Sequence, residues 1–129
     1  LIGLDISRTA VAAAKTNARA AGLGRRIRVS EGDATQLEGW PLCDEVIANL
    51  PFGMRTRRAE MDLARLYGAI LAHLASRLKP GGRALLYTTN RKILESSLSK
   101  HKLRLHLERH LRVLSGGLWS NLWILTARP

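Results

Sequence analysis

The sequence predicts an α/β fold, a doubly wound and mostly parallel sheet that closes on a C-terminal antiparallel hairpin. Three observations carry this. Short β-prone runs alternate with amphipathic helical stretches along most of the chain. Residues 83–89, RALLYTT, are apolar through their centre, as in a strand covered on both faces. Near the end, "SGG" at 115–117 separates two long apolar-patterned runs, as in a hairpin.

The elements follow in order. "LIGLD" reads as a first strand, and Ser7 as the N-cap of an alanine-rich helix that runs to about Ala21 and stops at Gly22. "RIRVSEGD" reads as a second strand with Ile27 and Val29 on one face. A polar connection containing "LEGWP" leads to a third, "CDEVIANL", followed by "PFGMRTRR" as a loop with three arginines. From about Glu60 to Lys79, Leu63, Leu66, Tyr67, Ile70, Leu71, Leu74 and Leu78 recur at spacings of three and four, predicting a long amphipathic helix that "KPGG" ends. After "RALLYTT" a shorter helix spans Arg91 to about Lys100. Residues 103–113 fit either period. Leu103, Leu105, Leu107, Leu111 and Val113 favour a strand, because "SGG" and "LWSNLWILTA" complete a hairpin in which Trp119 and Trp123 share a core face.

At 129 residues the chain is one domain at most. No apolar run approaches the roughly 20 residues of a membrane span, and no secretory signal is visible at the N-terminus. The expectation is therefore no membrane, and a cytoplasmic location. The lone Cys43 suits a reducing compartment and reads as a small core hydrophobe. Twenty-one Lys and Arg against ten Asp and Glu give a net charge of +11, which favours polyanionic partners through counterion release. His101, His106 and His110 lie among basic residues without metal spacing, so a basic surface and no metal is expected. The chain opens on a strand without an initiator methionine, as a piece beginning partway through a fold would.

In sheets of this kind ligands lie outside the carboxyl ends of the strands. Three polar residues stand there: Asp5 after the first strand, Asp33 after the second, Asn49 after the third. An acid at the first position can accept hydrogen bonds from both hydroxyls of a ribose, with Ile6 beside it against an adenine face. Asp33 can accept from an adenine amino group while the backbone N–H of Ala34 serves a ring nitrogen. "NLPFG" (Asn49 to Gly53) reads as either a plain turn or a grip on a planar base.

"GLDIS", "EGDAT" and "NLPFG", in this order, resemble class I S-adenosylmethionine-dependent methyltransferases acting on exocyclic amines, and most closely the THUMP-associated tRNA guanine-N2 methyltransferases. The resemblance extends to Ala14, Asn17, Ala21 and Gly22 of the first helix and to "LKPGG". It implies a Rossmann-like class I methyltransferase sheet, S-adenosylmethionine as cofactor and tRNA as partner. Asp5 and Ile6 would then hold the cofactor ribose and its surroundings, and Asp33 with Ala34 its adenine. The Asn49 carboxamide and Leu50 carbonyl would accept the two hydrogens of the target amine, favouring a pyramidal nitrogen whose lone pair faces the methyl group. Pro51 would stiffen the turn, Phe52 would stack on a flipped-out base, and Gly53 would let the backbone pass close by. Arg55, Arg57 and Arg58 either grip phosphates or the target base, or lie solvated.

The family pattern also has a strand and glycine-rich loop ahead of "LIGLD", so the resemblance implies an N-terminally incomplete sheet, residues 1–129 being a partial catalytic domain. Adenine-N6 or glutamine-N5 methylation, and a non-catalytic RNA-binding fragment, are the competing readings. Exposed sheet edges would favour self-association of such a fragment.

Overall fold

The computed structural model of the chain describes residues 1–52 and 57–129, with side chains for all of these except 57–60. It divides into two compact units, Leu1–Glu38 and Gly39–Pro129. Gly53 and Arg55, and the side chains of Arg57 and Arg58, lie outside the described residues.

In the first unit, β1 (Ile2–Asp5) and β2 (Arg28–Glu31) flank α1 (Arg8–Ala20) in the chain. The strands pair in parallel from Ile2↔Arg28 to Asp5↔Glu31, so their carboxyl ends stand level. α1 starts where expected, because Ser7 Oγ accepts the Ala10 N–H at 3.3 Å. It ends as expected on Gly22, whose φ of +71° lets Leu23 N–H reach back to the Ala18 carbonyl at 2.8 Å. β2 is shorter than "RIRVSEGD". Ile27 precedes it because its N–H is committed to the Leu23 carbonyl in the turn.

The second unit contains β3 (Cys43–Asn49), α2 (Arg57–Arg77), β4 (Leu78–Thr88), α3 (Arg91–Ser99), β5 (Leu105–Ser115) and β6 (Leu118–Ala127). Its sheet order is β3-β4-β6-β5; β3 and β4 are parallel, and β6 runs antiparallel to both its neighbours. α2 and α3 supply the core on one sheet face. Leu71, Leu74 and Leu94 bury against Ala84, Leu86, Trp123 and Leu125. Each fully buried leucine contributes about 1.5–3 kcal/mol relative to exposure. Cys43 packs half-buried against this core, and burial foremost pushes its thiol pKa up.

Four expectations need correction. α2 begins at Arg57 rather than near Glu60, so Arg57 and Arg58 open a helix instead of ending a loop. It also ends earlier, at Arg77. Leu78 joins β4 opposite Cys43, and "KPGG" forms an irregularity in the ladder between Cys43 and Glu45. A Cβ at Gly82 would meet the Lys79 and Asp44 carbonyl oxygens at 2.9 and 3.0 Å, so the bulged strand fits only glycine there.

The strand reading of residues 103–113 holds from Leu105, but its single apolar face does not. A register shift between Leu107 and Arg109 turns the strand over, so Leu107 pairs with Leu125 while Leu111 pairs with Leu122. Trp119 and Trp123 do share a face, yet only Trp123 is core. Trp119 is 55% exposed, because it stands past the end of β4 and outside the buried cluster.

Candidate active site

In the first unit both acids stand at strand ends, as the carboxyl-end rule requires. Asp5 Oδ1 accepts the Ser7 N–H at 2.7 Å, a turn that also sets up the cap of α1. Its second oxygen has no partner among the described residues. Ile6 beside it is 74% exposed, a large aliphatic side chain held in the open. Asp33 Oδ1 accepts both the Thr35 N–H, at 2.8 Å, and the Thr35 hydroxyl, at 2.7 Å. Its other oxygen and the Ala34 N–H carry no partner among the described residues. A free carboxylate oxygen next to a free N–H is an acceptor–donor pair that suits the amino edge of an adenine. These residues therefore fit a nucleoside.

The Thr35 N–H, and after it the Thr35 hydroxyl, hold the Asp33 carboxyl below its ordinary pKa of 3.8. A depressed carboxylate pKa stabilises the fold fully above the ordinary value, and that contribution is lost as pH falls through the lower, folded value. Thr35→Val removes the hydroxyl but keeps the N–H. Its expected effect is an Asp33 pKa that rises part of the way back, read by carboxyl NMR titration. An unchanged titration would disprove the hydroxyl's share.

In the second unit, Asn49 ends β3 and Leu50 leaves it with its N–H on the Tyr87 carbonyl at 2.9 Å. Asn49 is exposed, and among the described residues its carboxamide makes no hydrogen bond and nothing donates to the Leu50 carbonyl. The next two carbonyls are taken. Tyr67 donates its hydroxyl to the Pro51 carbonyl at 2.7 Å, and Asn90 Nδ2 donates to the Phe52 carbonyl. Because a carbonyl can only accept, the Tyr67 proton is spent on Pro51. Thr88 Oγ1, 2.6 Å away, must then donate to Tyr67, and it accepts in turn from the Asn90 N–H at 3.0 Å. The result is one directed chain, Asn90 N–H to Thr88 to Tyr67 to Pro51, in which each bond polarises the next. Tyr67 and Thr88 are fully buried, and burial above all raises the Tyr67 pKa, so its hydroxyl stays protonated as the chain requires.

Phe52 is 40% exposed and set edge-on to Tyr87, with ring centroids 6.1 Å apart. One edge of its ring is thus braced while much of it remains open for stacking. Asn49, Leu50, Pro51 and Phe52 stand together as expected. The sequence reading missed Tyr67 as more than core, and missed Thr88 and Asn90 altogether. The signal was present: "TTN" closes the fourth strand and leaves it at the same sheet edge where Asn49 ends the third.

A parallel strand pair with an acid after each strand in the first unit, and in the second a strand ending in an amide–proline–aromatic turn, are the marks of a class I, Rossmann-like methyltransferase fold. Comparison with known proteins supplies the family: residues 1–121 match the family described as RMKL-like, methyltransferase domain, and the chain belongs to it. It is 29% identical over 127 residues to a tRNA (guanine(6)-N2)-methyltransferase of Methanocaldococcus jannaschii, covering 98% of this chain and 32% of that protein. The crystal structure of TrmN from Thermus thermophilus superposes with a TM-score of 0.86 at 28% identity, over 98% of this chain and 36% of that one. A possible methylase from Clostridium difficile 630 shares the fold, with a TM-score of 0.75 at 22% identity over 98% of this chain and 31% of that chain. The chain thus spans about a third of the length of these relatives.

Proposed function

We propose that this chain serves S-adenosylmethionine-dependent methylation of an exocyclic base amine, guanine N2 in tRNA. The observation that carries the reading is the loop after β3, tied down through its Pro51 and Phe52 carbonyls while the Asn49 carboxamide and Leu50 carbonyl remain unengaged among the described residues. Two relatives at 28–29% identity, one a tRNA guanine-N2 methyltransferase by name, support the choice of substrate, and the net charge of +11 supports a nucleic acid. Association with a THUMP domain and a cytoplasmic location belong to the same proposal.

When bound, the cofactor supplies an electrophilic methyl group. Asp5 and Ile6 receive its ribose side, and Asp33 with Ala34 its adenine. The Asn49 and Leu50 oxygens each accept one hydrogen of the amine, which draws the nitrogen lone pair out of conjugation with the ring. Both hydrogen bonds strengthen as positive charge develops on nitrogen, so they favour the transition state over the ground state. Phe52 stacks on the base, and the rigid loop holds it in line, which supplies much of the rate through proximity. Among the described residues no covalent nucleophile is required, and the amine proton leaves to solvent. Arg55, Arg57 and Arg58 are proposed to meet RNA phosphates.

Nucleoside mass spectrometry of tRNA treated with the full-length protein tests this. The expected product is N2-methylguanosine; label found only on adenine N6 or on a protein glutamine would overturn the substrate assignment.

A further inference from the structure

The β5–β6 hairpin carries a feature that the amine site leaves unexplained. The Arg112 guanidinium lies over the Trp119 ring, 4.5 Å from its centroid. Both side chains are exposed, and Leu114, paired with Trp119 across the hairpin, is 57% exposed as well. The pair leaves a large aromatic surface, already faced by a cation, open to solvent at the hairpin end. Nothing in the folding of the second unit calls for it, because the core ends at Trp123.

Register fixes where this pair stands. Thr88, the last residue of β4, pairs with Asn121, and Asn121 pairs with Arg112. Trp119 lies two residues earlier on the antiparallel β6, hence past the carboxyl end of β4. That is the edge at which Asn49 to Phe52 and Asn90 stand. β6 is two strands from β3 in the sheet order, a lateral offset of roughly 10 Å. The pair therefore sits beside the amine site at about the distance of a neighbouring nucleotide.

We infer that Arg112 and Trp119 form a second RNA-contacting platform, which stacks an unpaired base next to the methylated nucleotide and holds the phosphate beside it. This rests on the reading of the substrate as RNA and adds a subsite to it. An aromatic face accepts any base, and a guanidinium already lying along it adds cation–π attraction and a fork for phosphate oxygens. The charge agrees. From residue 109 to 129 the sequence holds Arg109, Arg112 and Arg128 and no Asp or Glu; the hairpin's acid, Glu108, lies toward its other end and accepts the Thr126 hydroxyl at 2.8 Å. A second copy of the chain fits worse, since pairing like tips would bring Arg112 against Arg112.

The test compares Trp119→Ala, Trp119→Phe and Arg112→Gln in the full-length protein, with an unmodified tRNA transcript as ligand. Binding and methyl transfer are measured separately. The expected result for Trp119→Ala is a roughly tenfold or larger rise in the dissociation constant and KM for tRNA. Its kcat and its KM for S-adenosylmethionine stay near wild type, and Trp119→Phe restores most of the affinity. Arg112→Gln weakens tRNA binding and lowers its salt slope by about one. Unchanged tRNA affinity in both Trp119→Ala and Arg112→Gln would overturn the platform. So would a wild-type dimer in sedimentation that Trp119→Ala disperses. tRNA binding that depends on Trp119 without methylation at guanine N2 would uphold the platform and overturn the substrate assignment instead.

Discussion

Asn49→Ala is expected to lower kcat for methyl transfer by about 10²–10³-fold, the cost of removing one preorganised group that acts on developing charge. KM for tRNA and the affinity for S-adenosylmethionine should change little, because the carboxamide acts on the amine alone and most strongly late on the path. Stability should also hold. Asn49 is exposed and its side chain bonds nothing among the described residues, so its loss falls within about 0.5 kcal/mol. Single-turnover transfer to tRNA, paired with a melting curve, separates these effects. Asn49→Asp tests the same point differently. It keeps an acceptor of nearly the same shape but adds a charge, and retained activity there with none in Asn49→Ala would single out the acceptor as the essential feature. Full activity in Asn49→Ala would remove the central support for the mechanism.

Tyr67 is expected to give the largest change in stability. Tyr67→Phe leaves the ring packed against α3 and the sheet but strips a partner from the Pro51 carbonyl and from the Thr88 hydroxyl. Each buried polar group left unpaired costs about 1–3 kcal/mol, and Thr88 recovers part of that by rotating its proton. Tyr67→Ala adds a cavity and should cost about 3–5 kcal/mol, read as a shift in the denaturation midpoint. The informative variant is Tyr67→Phe. If the hydrogen-bond chain positions the loop, kcat falls by more than the stability loss explains, since a displacement of about 1 Å can cost 10²-fold. If Tyr67 is merely core, kcat at a temperature well below melting stays at the wild-type value. Asn90→Ala, which frees the Phe52 carbonyl at an exposed position, should repeat the kinetic defect with a smaller thermal one.

Much of this was legible in the chain. The alternation of strands and helices, the Ser7 cap, the Gly22 stop and the acids after two strand ends depend on local chemistry: capping, glycine's left-handed backbone and period-two or period-3.6 burial. The same holds for the amide–proline–aromatic turn, whose proline marks the end of the strand. What escaped depends on neighbours distant in sequence. The turnover of β5 at Leu107 and Arg109 exists because β6 sets a ladder that the strand must rejoin after one extra residue.

Trp119 and Trp123 are indistinguishable by pattern. Trp123 faces the core formed with α2 and α3, and Trp119 stands past the end of β4, so one is 1% and the other 55% exposed. Tyr67, 16 residues from Pro51, and Asn90, 38 residues from Phe52, became site residues only when α2 and β4 were packed beside the loop. Local patterns along the chain determined which segments would be strands and helices and which residue types would stand at the strand ends. Tertiary packing decided which carbonyls of the loop are held and which stay free, because hydrogen bonds across such separations exist only once the sheet has brought their partners together.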